Sequence, residues 1–160
     1  MFRRKILDKL EAWKQDSKHK PLILRGARQV GKTTVVNEFG SQFDNYLYFN
    51  LERSECIKLF EMEIPLDNLV QMLFASLGKP QKDGTTLIFI DEIQNSPKTI
   101  ALLRYFYEQR PDLYIIAAGS LLENLVDVKV SFPVGRVQYL ALRPCSFYEF
   151  LGAIDRKSVV

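Results

Sequence analysis

The sequence predicts an α/β fold: a doubly wound, five-stranded, mostly parallel sheet sandwiched by helices. Three observations predict it. Short apolar runs alternate with helical segments along the whole chain. One run, Leu87-Ile88-Phe89-Ile90, is apolar at four consecutive positions, the pattern of a strand covered on both faces. Another, Leu22-Ile23-Leu24, leads straight into a glycine-punctuated loop from Gly26 to Gly31, with a helical segment behind it.

Taken in order, Phe2, Ile6, Leu10 and Trp13 recur on one helical face with Leu7 beside them, so residues 1–20 read as an amphipathic helix packing on the core. The core itself is expected over 21–160. After the strand at Leu22-Leu24, a helix from about Lys32 to Phe39 is expected to stop at Gly40. Tyr46 to Phe49 reads as a second strand, and the charged stretch Glu52 to Glu63 as a short helix. Leu66, Leu69, Val70, Leu73, Phe74 and Leu77 then recur at helical spacing, with Gly78 closing that helix. After the strand Leu87-Ile90, Ser96-Pro97 opens a helix as cap hydroxyl and first-turn proline. Ile100, Leu103, Phe106 and Tyr107 supply its inner face, and Arg110-Pro111 ends it. Leu113-Ala118 and Val137-Leu142 are the remaining strands, and Pro144-Leu151 a last short helix.

A chain of 160 residues with 47% hydrophobic and 26% charged residues suits one globular domain with a real core. The net charge of +3 is too mild to argue for nucleic acid, and no aromatic-plus-basic module supports one. Cys56 and Cys145 lie far apart, outside any metal or disulfide pattern, which suits a reducing cytosol and a cytoplasmic protein. No apolar run is long enough for a membrane span. The single histidine, His19, sits in a lysine-rich turn and is given no catalytic role.

The segment Gly26-Ala27-Arg28-Gln29-Val30-Gly31-Lys32-Thr33 fits the phosphate-loop pattern G-x-x-x-x-G-K-S/T at every fixed position. Phosphate oxygens need several backbone N–H donors converging from one loop, and glycines let the chain curl closely enough to offer them. The following helix, with Thr34 in its first turn, adds its positive end. Lys32 would reach the β- and γ-phosphates, and the Thr33 hydroxyl would ligate Mg2+. A strand before and a helix after complete the context of a P-loop NTPase.

Asp91-Glu92 follows Ile90, so a buried strand ends in two carboxylates, which is costly unless a cation sits nearby. Asp91 is assigned to Mg2+ and Glu92 to deprotonating the attacking water; Gln94, two residues on, is the alternative for positioning that water. A strand lies in sequence between the phosphate-loop strand and the acid-bearing one. That order fits the P-loop branch with an extra strand in the sheet and a catalytic glutamate. A guanine-reading N-K-x-D element is not found, which favours ATP.

Two further positions are candidates. Ser120 ends the strand expected beside the acid-bearing one and could touch the γ-phosphate or the water. It also opens the capping box Ser120-Leu121-Leu122-Glu123, and both roles stay open. Arg136 follows Gly135 on a proline turn. It either steadies charge on the transferring phosphoryl group, in its own chain or a neighbour's, or is a surface salt-bridge partner.

The phosphate loop, Phe89-Ile90-Asp91-Glu92-Ile93-Gln94, Gly119-Ser120, Pro133-Val134-Gly135-Arg136-Val137, and Arg143-Pro144 with Ser146-Phe147-Tyr148-Glu149-Phe150-Leu151 occur in this order. Together they resemble a prokaryotic branch of the AAA+ ATPases. The resemblance implies Walker A at Gly26-Thr33, Walker B at Asp91 and Glu92, a sensor-like Ser120 and an ATP-responsive Arg136. It implies a hydrolase using ATP and Mg2+, with ATP/ADP, a second copy or a C-terminal effector domain as partners. Members are normally longer, with a lid and a nuclease-like C-terminal domain; this chain ends soon after Leu151, so a core without those parts is expected. A nucleotide-sensing module with little hydrolysis, and a small-molecule kinase, are the alternatives. Against the kinase, the acid pair suits water activation and no arginine-rich lid is evident.

Overall fold

The computed structural model describes residues 4–26, 31–119 and 132–142. The expectations at Phe2, Ala27-Val30, Ser120, Cys145 and the helix Pro144-Leu151 lie outside these residues. The elements run α1 (Arg4–Gln15), β1 (Leu22–Arg25), α2 (Lys32–Gly40), β2 (Asn45–Asn50), α3 (Ser54–Phe60), α4 (Leu66–Ser76), β3 (Thr86–Asp91), a 3-10 turn (Ile93–Asn95), α5 (Pro97–Gln109), β4 (Tyr114–Gly119) and β5 (Gln138–Ala141).

The strands form one five-stranded sheet in the order β2-β3-β4-β1-β5. All its described pairings are parallel. β4 therefore separates the phosphate-loop strand from the acid-bearing strand and lies beside the latter, the neighbour expected of the strand that ends at Gly119.

Side-chain alternation explains the apolar runs, because each strand serves two cores. Leu22, Leu24, Leu87, Phe89, Ile116 and Ala118 face α1 and α2, where Ile6, Leu10, Trp13, Val35, Val36 and Phe39 meet them. Ile23, Ile88, Ile90, Ile115 and Ala117 face the other way, onto Leu69, Val70 and Leu73 of α4 and Ile100, Leu103 and Phe106 of α5. Ile6, Leu10 and Trp13 of α1 are all buried in this layer. His19 is structural: its ring nitrogens lie 3.2 and 3.1 Å from the carbonyl oxygens of Asp16 and Leu113, and its ring stacks on Tyr114.

Ser96 caps α5 as expected, its side chain accepting the Thr99 N–H at 3.2 Å with Pro97 behind it. Gly78 closes α4 at φ +62°. The N–H of Lys79 reaches Phe74 O at 3.1 Å and that of Gly78 reaches Ala75 O at 3.0 Å, the paired bonds of a glycine-terminated helix.

One expectation is corrected and another refined. Leu77 is 39% exposed; the helix has ended, and the residue swings off the inner face. α2 does stop at Gly40, its last residue, but not through a left-handed turn. The lack of a side chain at Gly40 serves packing: a Cβ there would stand 2.7 Å from Cδ1 of Tyr46, whose hydroxyl is bonded to Asn37 on the same helix. Gly40→Ala should therefore lower Tm by several degrees, the overpacking cost of about 1–3 kcal/mol exceeding the helix-propensity gain. A melt showing no loss would refute the close approach.

Candidate functional site

The site lies where β1 and β3 end and α2 begins, at the C-terminal edge of the sheet, as is usual for ligands of open parallel sheets. Gly31 precedes α2 at φ +86°, a conformation that only glycine adopts without strain. No side chain caps the helix, so its first turn keeps the N–H-rich, positive end that suits an anion. Lys32 opens the helix, only 6% exposed, and its ammonium donates to the carbonyl of Gly26 at 2.6 Å. The side chain thus spans the loop from its last residues back to its first. Burial pushes the Lys32 pKa below its usual value, while the charges of Glu92 and Asp91 pull it upward. Both carboxylates therefore act on the same buried cation.

Asp91 closes β3, 4% exposed. By alternation it shares the face of Leu87 and Phe89, and that face looks onto α2. The result is a direct contact between the two motifs: the Thr33 hydroxyl donates to Asp91 Oδ2 at 2.7 Å. The same oxygen accepts the Tyr48 hydroxyl at 3.0 Å, and Oδ1 accepts the Glu92 N–H at 3.0 Å. These bonds fix the carboxylate's orientation.

Tyr48 escaped the sequence reading. It pairs with Phe89 across β2 and β3, so Asp91 lies two positions along on the same face, within reach of a tyrosine. The Tyr46/Tyr48 alternation was visible, but the pairing register that turns it into a contact was not. Burial, with the charge and hydrogen bond of Asp91, pushes the Tyr48 pKa well up, so the phenol stays a donor.

Glu92 has a left-handed backbone, φ 54° and ψ 45°, and is the one non-glycine residue at positive φ among those described. Such a conformation costs a side-chain-bearing residue on the order of 1 kcal/mol and gathers at functional positions. It lets the chain leave β3 and enter the 3-10 turn at once. Gln94, on that turn, donates from Nε2 to Glu92 Oε2 at 2.5 Å.

Among the residues proposed from sequence, the structure gathers Gly26, Gly31, Lys32, Thr33, Asp91 and Glu92. Thr34 follows in α2, exposed. Ala27, Arg28, Gln29, Val30 and Ser120 lie outside the described residues. Arg136 is not brought to the site of its own chain. It precedes β5, whose Gln138 pairs with Leu22 at the start of β1, so it stands at the opposite edge of the sheet from the phosphate loop. There its Nε donates to Glu108 Oε1 at 2.8 Å and Nη1 to Val134 O at 3.1 Å, the salt-bridge alternative. Glu108 also takes Arg104 at 3.1 Å, and the two guanidinium groups hold its carboxyl below the usual range.

No helix of the described residues is long and apolar enough to cross a membrane. Among curated proteins none matches the chain. Solved structures do. An Aeropyrum pernix ORC1 protein in complex with DNA is similar over 98% of this chain at TM-score 0.56 and 16% identity. Drosophila ORC bound to DNA is similar over 97% at TM-score 0.64 and 17% identity. The chain spans about half of each, 48% and 47% of their lengths, and at such identities the likeness speaks for the fold. The sequence profile of the AAA domain matches residues 18–151, most of the chain. A parallel α/β sheet with the inserted strand and the matching profile agree: the chain belongs to the AAA domain family, an AAA+ ATPase core of the P-loop class.

Proposed function

We propose that this domain binds ATP with Mg2+ between the start of α2 and the end of β3, hydrolyses it, and passes the nucleotide state to a further domain as movement. The observation that carries this reading is the 2.7 Å contact of Thr33 Oγ1 with Asp91 Oδ2, which joins the phosphate loop to the acid pair.

The donor set fits Mg2+. A hydroxyl and a carboxylate oxygen converge, both hard ligands, and no cage of three or more acidic, cysteine or histidine residues is found among the described residues. Mg2+ typically takes few protein oxygens and completes its shell with water and phosphate. When bound, it neutralises charge on the β- and γ-phosphates. Thr33 and Asp91 would hold it, Tyr48 keeping Asp91 turned toward Thr33. The N–H groups of the first turn of α2 bind phosphate oxygens, with Lys32 supplying the positive charge. Glu92 takes the proton of the attacking water.

The test is a melt with and without MgATP beside a phosphate-release assay. Binding at a hundredfold excess over Kd adds about 2.7 kcal/mol of stability and raises Tm. A chain whose Tm ignores MgATP does not have this site.

A further inference from the structure

Gln94 carries an observation that ATP binding alone does not use. Its side-chain Oε1 is shut off from solvent and meets no donor among the described residues. The orientation of the amide is not arbitrary. A carboxylate oxygen of Glu92 lies 2.5 Å from Nε2, and a carboxylate only accepts, so nitrogen must face Glu92 and oxygen must face away. The carbonyl oxygen is thus left as a buried acceptor, costly to keep unless a donor arrives when the domain works.

The setting holds that acceptor still. Ile93 before it is fully buried, and Asn95 after it donates from Nδ2 to Leu51 O at 3.2 Å, tying the 3-10 turn to the end of β2. The backbone closes the turn with Asn95 N–H on Glu92 O at 3.2 Å and Ser96 N–H on Ile93 O at 3.0 Å. Gln94 is therefore fixed to Glu92 by its nitrogen and to the fold by both neighbours.

The chemistry of the missing donor is narrow. Phosphate oxygens only accept hydrogen bonds and cannot satisfy a carbonyl. A water can, once the site opens enough to admit it at Oε1, and it then lies one amide group away from the Glu92 carboxylate. We infer that Gln94 is a catalytic residue whose Oε1 accepts one hydrogen of the attacking water while Glu92 takes the other. This rests on the ATPase reading above. The step balances simply: the water oxygen forms the new bond to the γ-phosphorus, the bond to the bridging oxygen of ADP breaks, and one water proton passes to Glu92. The second hydrogen stays on the attacking oxygen, directed by Gln94.

Gln94→Met, in the full 160-residue chain, replaces the amide with an apolar group of similar length. Three readings are expected together. kcat for ATP falls about 100-fold, the scale of a lost proton-handling partner, while KM stays within about threefold. The MgATP-induced rise in Tm is kept. The Tm of the nucleotide-free protein does not fall, because removal of an unmet buried acceptor offsets the lost bond to Glu92; loss of a structural glutamine would lower it. Gln94→Leu, of different shape, should repeat the pattern. Parent-like kcat in both variants, or lower Tm with kcat and KM changed alike, would overturn the assignment while leaving the ATPase reading intact. A parent chain without phosphate release would remove the ATPase reading and this assignment together.

Discussion

Lys32→Ala is expected to abolish the MgATP-induced rise in Tm at concentrations that shift the parent protein, and phosphate release with it. Lys32 is 6% exposed and bonded to Gly26 O at 2.6 Å, so it is already oriented within the loop. Its retained charge opposes a real desolvation cost, offset by the nearby Glu92 and Asp91 charges. Removing it takes away the charge-assisted bonds to phosphate and leaves the bound anion facing two carboxylates without their cation. The affinity loss should be on the order of 100-fold, about 2.7 kcal/mol. Lys32→Met separates charge from packing, since it keeps an apolar stem in the same buried space. Both variants should melt near the nucleotide-free parent yet fail to respond to MgATP. An unchanged response in either would mean that the nucleotide, if it binds, sits elsewhere.

The parts legible in sequence are those carried by local chemistry. The phosphate loop has a fixed spacing, Ser96-Pro97 a cap, and β1, β3 and β4 runs that only a doubly covered strand needs. Those three strands follow from period and composition. What stayed hidden depends on register or on close approach. Gly40 was legible as the end of α2, but not the reason for a glycine there; only the packing of α2 on β2 shows that the Tyr46 ring occupies the place of a side chain. Tyr48 becomes part of the site only once β2 pairs with β3 so that Tyr48 faces Phe89. Arg136 was legible only as two alternatives. Its turn suited either a phosphoryl group, in its own chain or a neighbour's, or a surface salt bridge, and only the topology places it within its own chain at the sheet's N-terminal edge, whereas Gly26 follows a strand at the C-terminal edge. The Asp91-Glu92 pair fell between: spacing marked both acids, but not that Glu92 has left-handed backbone and a glutamine holding its carboxylate.

Glu92→Gln should separate binding from turnover. The substitution keeps side-chain length, and the new amide oxygen can still accept from Gln94 Nε2 where Glu92 Oε2 now does at 2.5 Å. Glutamine and glutamate bear the left-handed backbone at φ 54° with similar strain, so Tm should barely move. The change removes a base and one negative charge near Lys32. Loss of the base should slow phosphate release about 100- to 1,000-fold. Loss of the charge should leave MgATP affinity equal or higher, since a like charge beside the triphosphate has gone. The expected signature is therefore a larger or equal MgATP shift in Tm with turnover near background, the reverse of Lys32→Ala, which loses both. If Glu92→Gln turned ATP over at the parent rate, the proton would have to leave by another acceptor. The water would then owe its position to Gln94 alone, and the combined Glu92→Gln, Gln94→Met protein would be the one to fall silent.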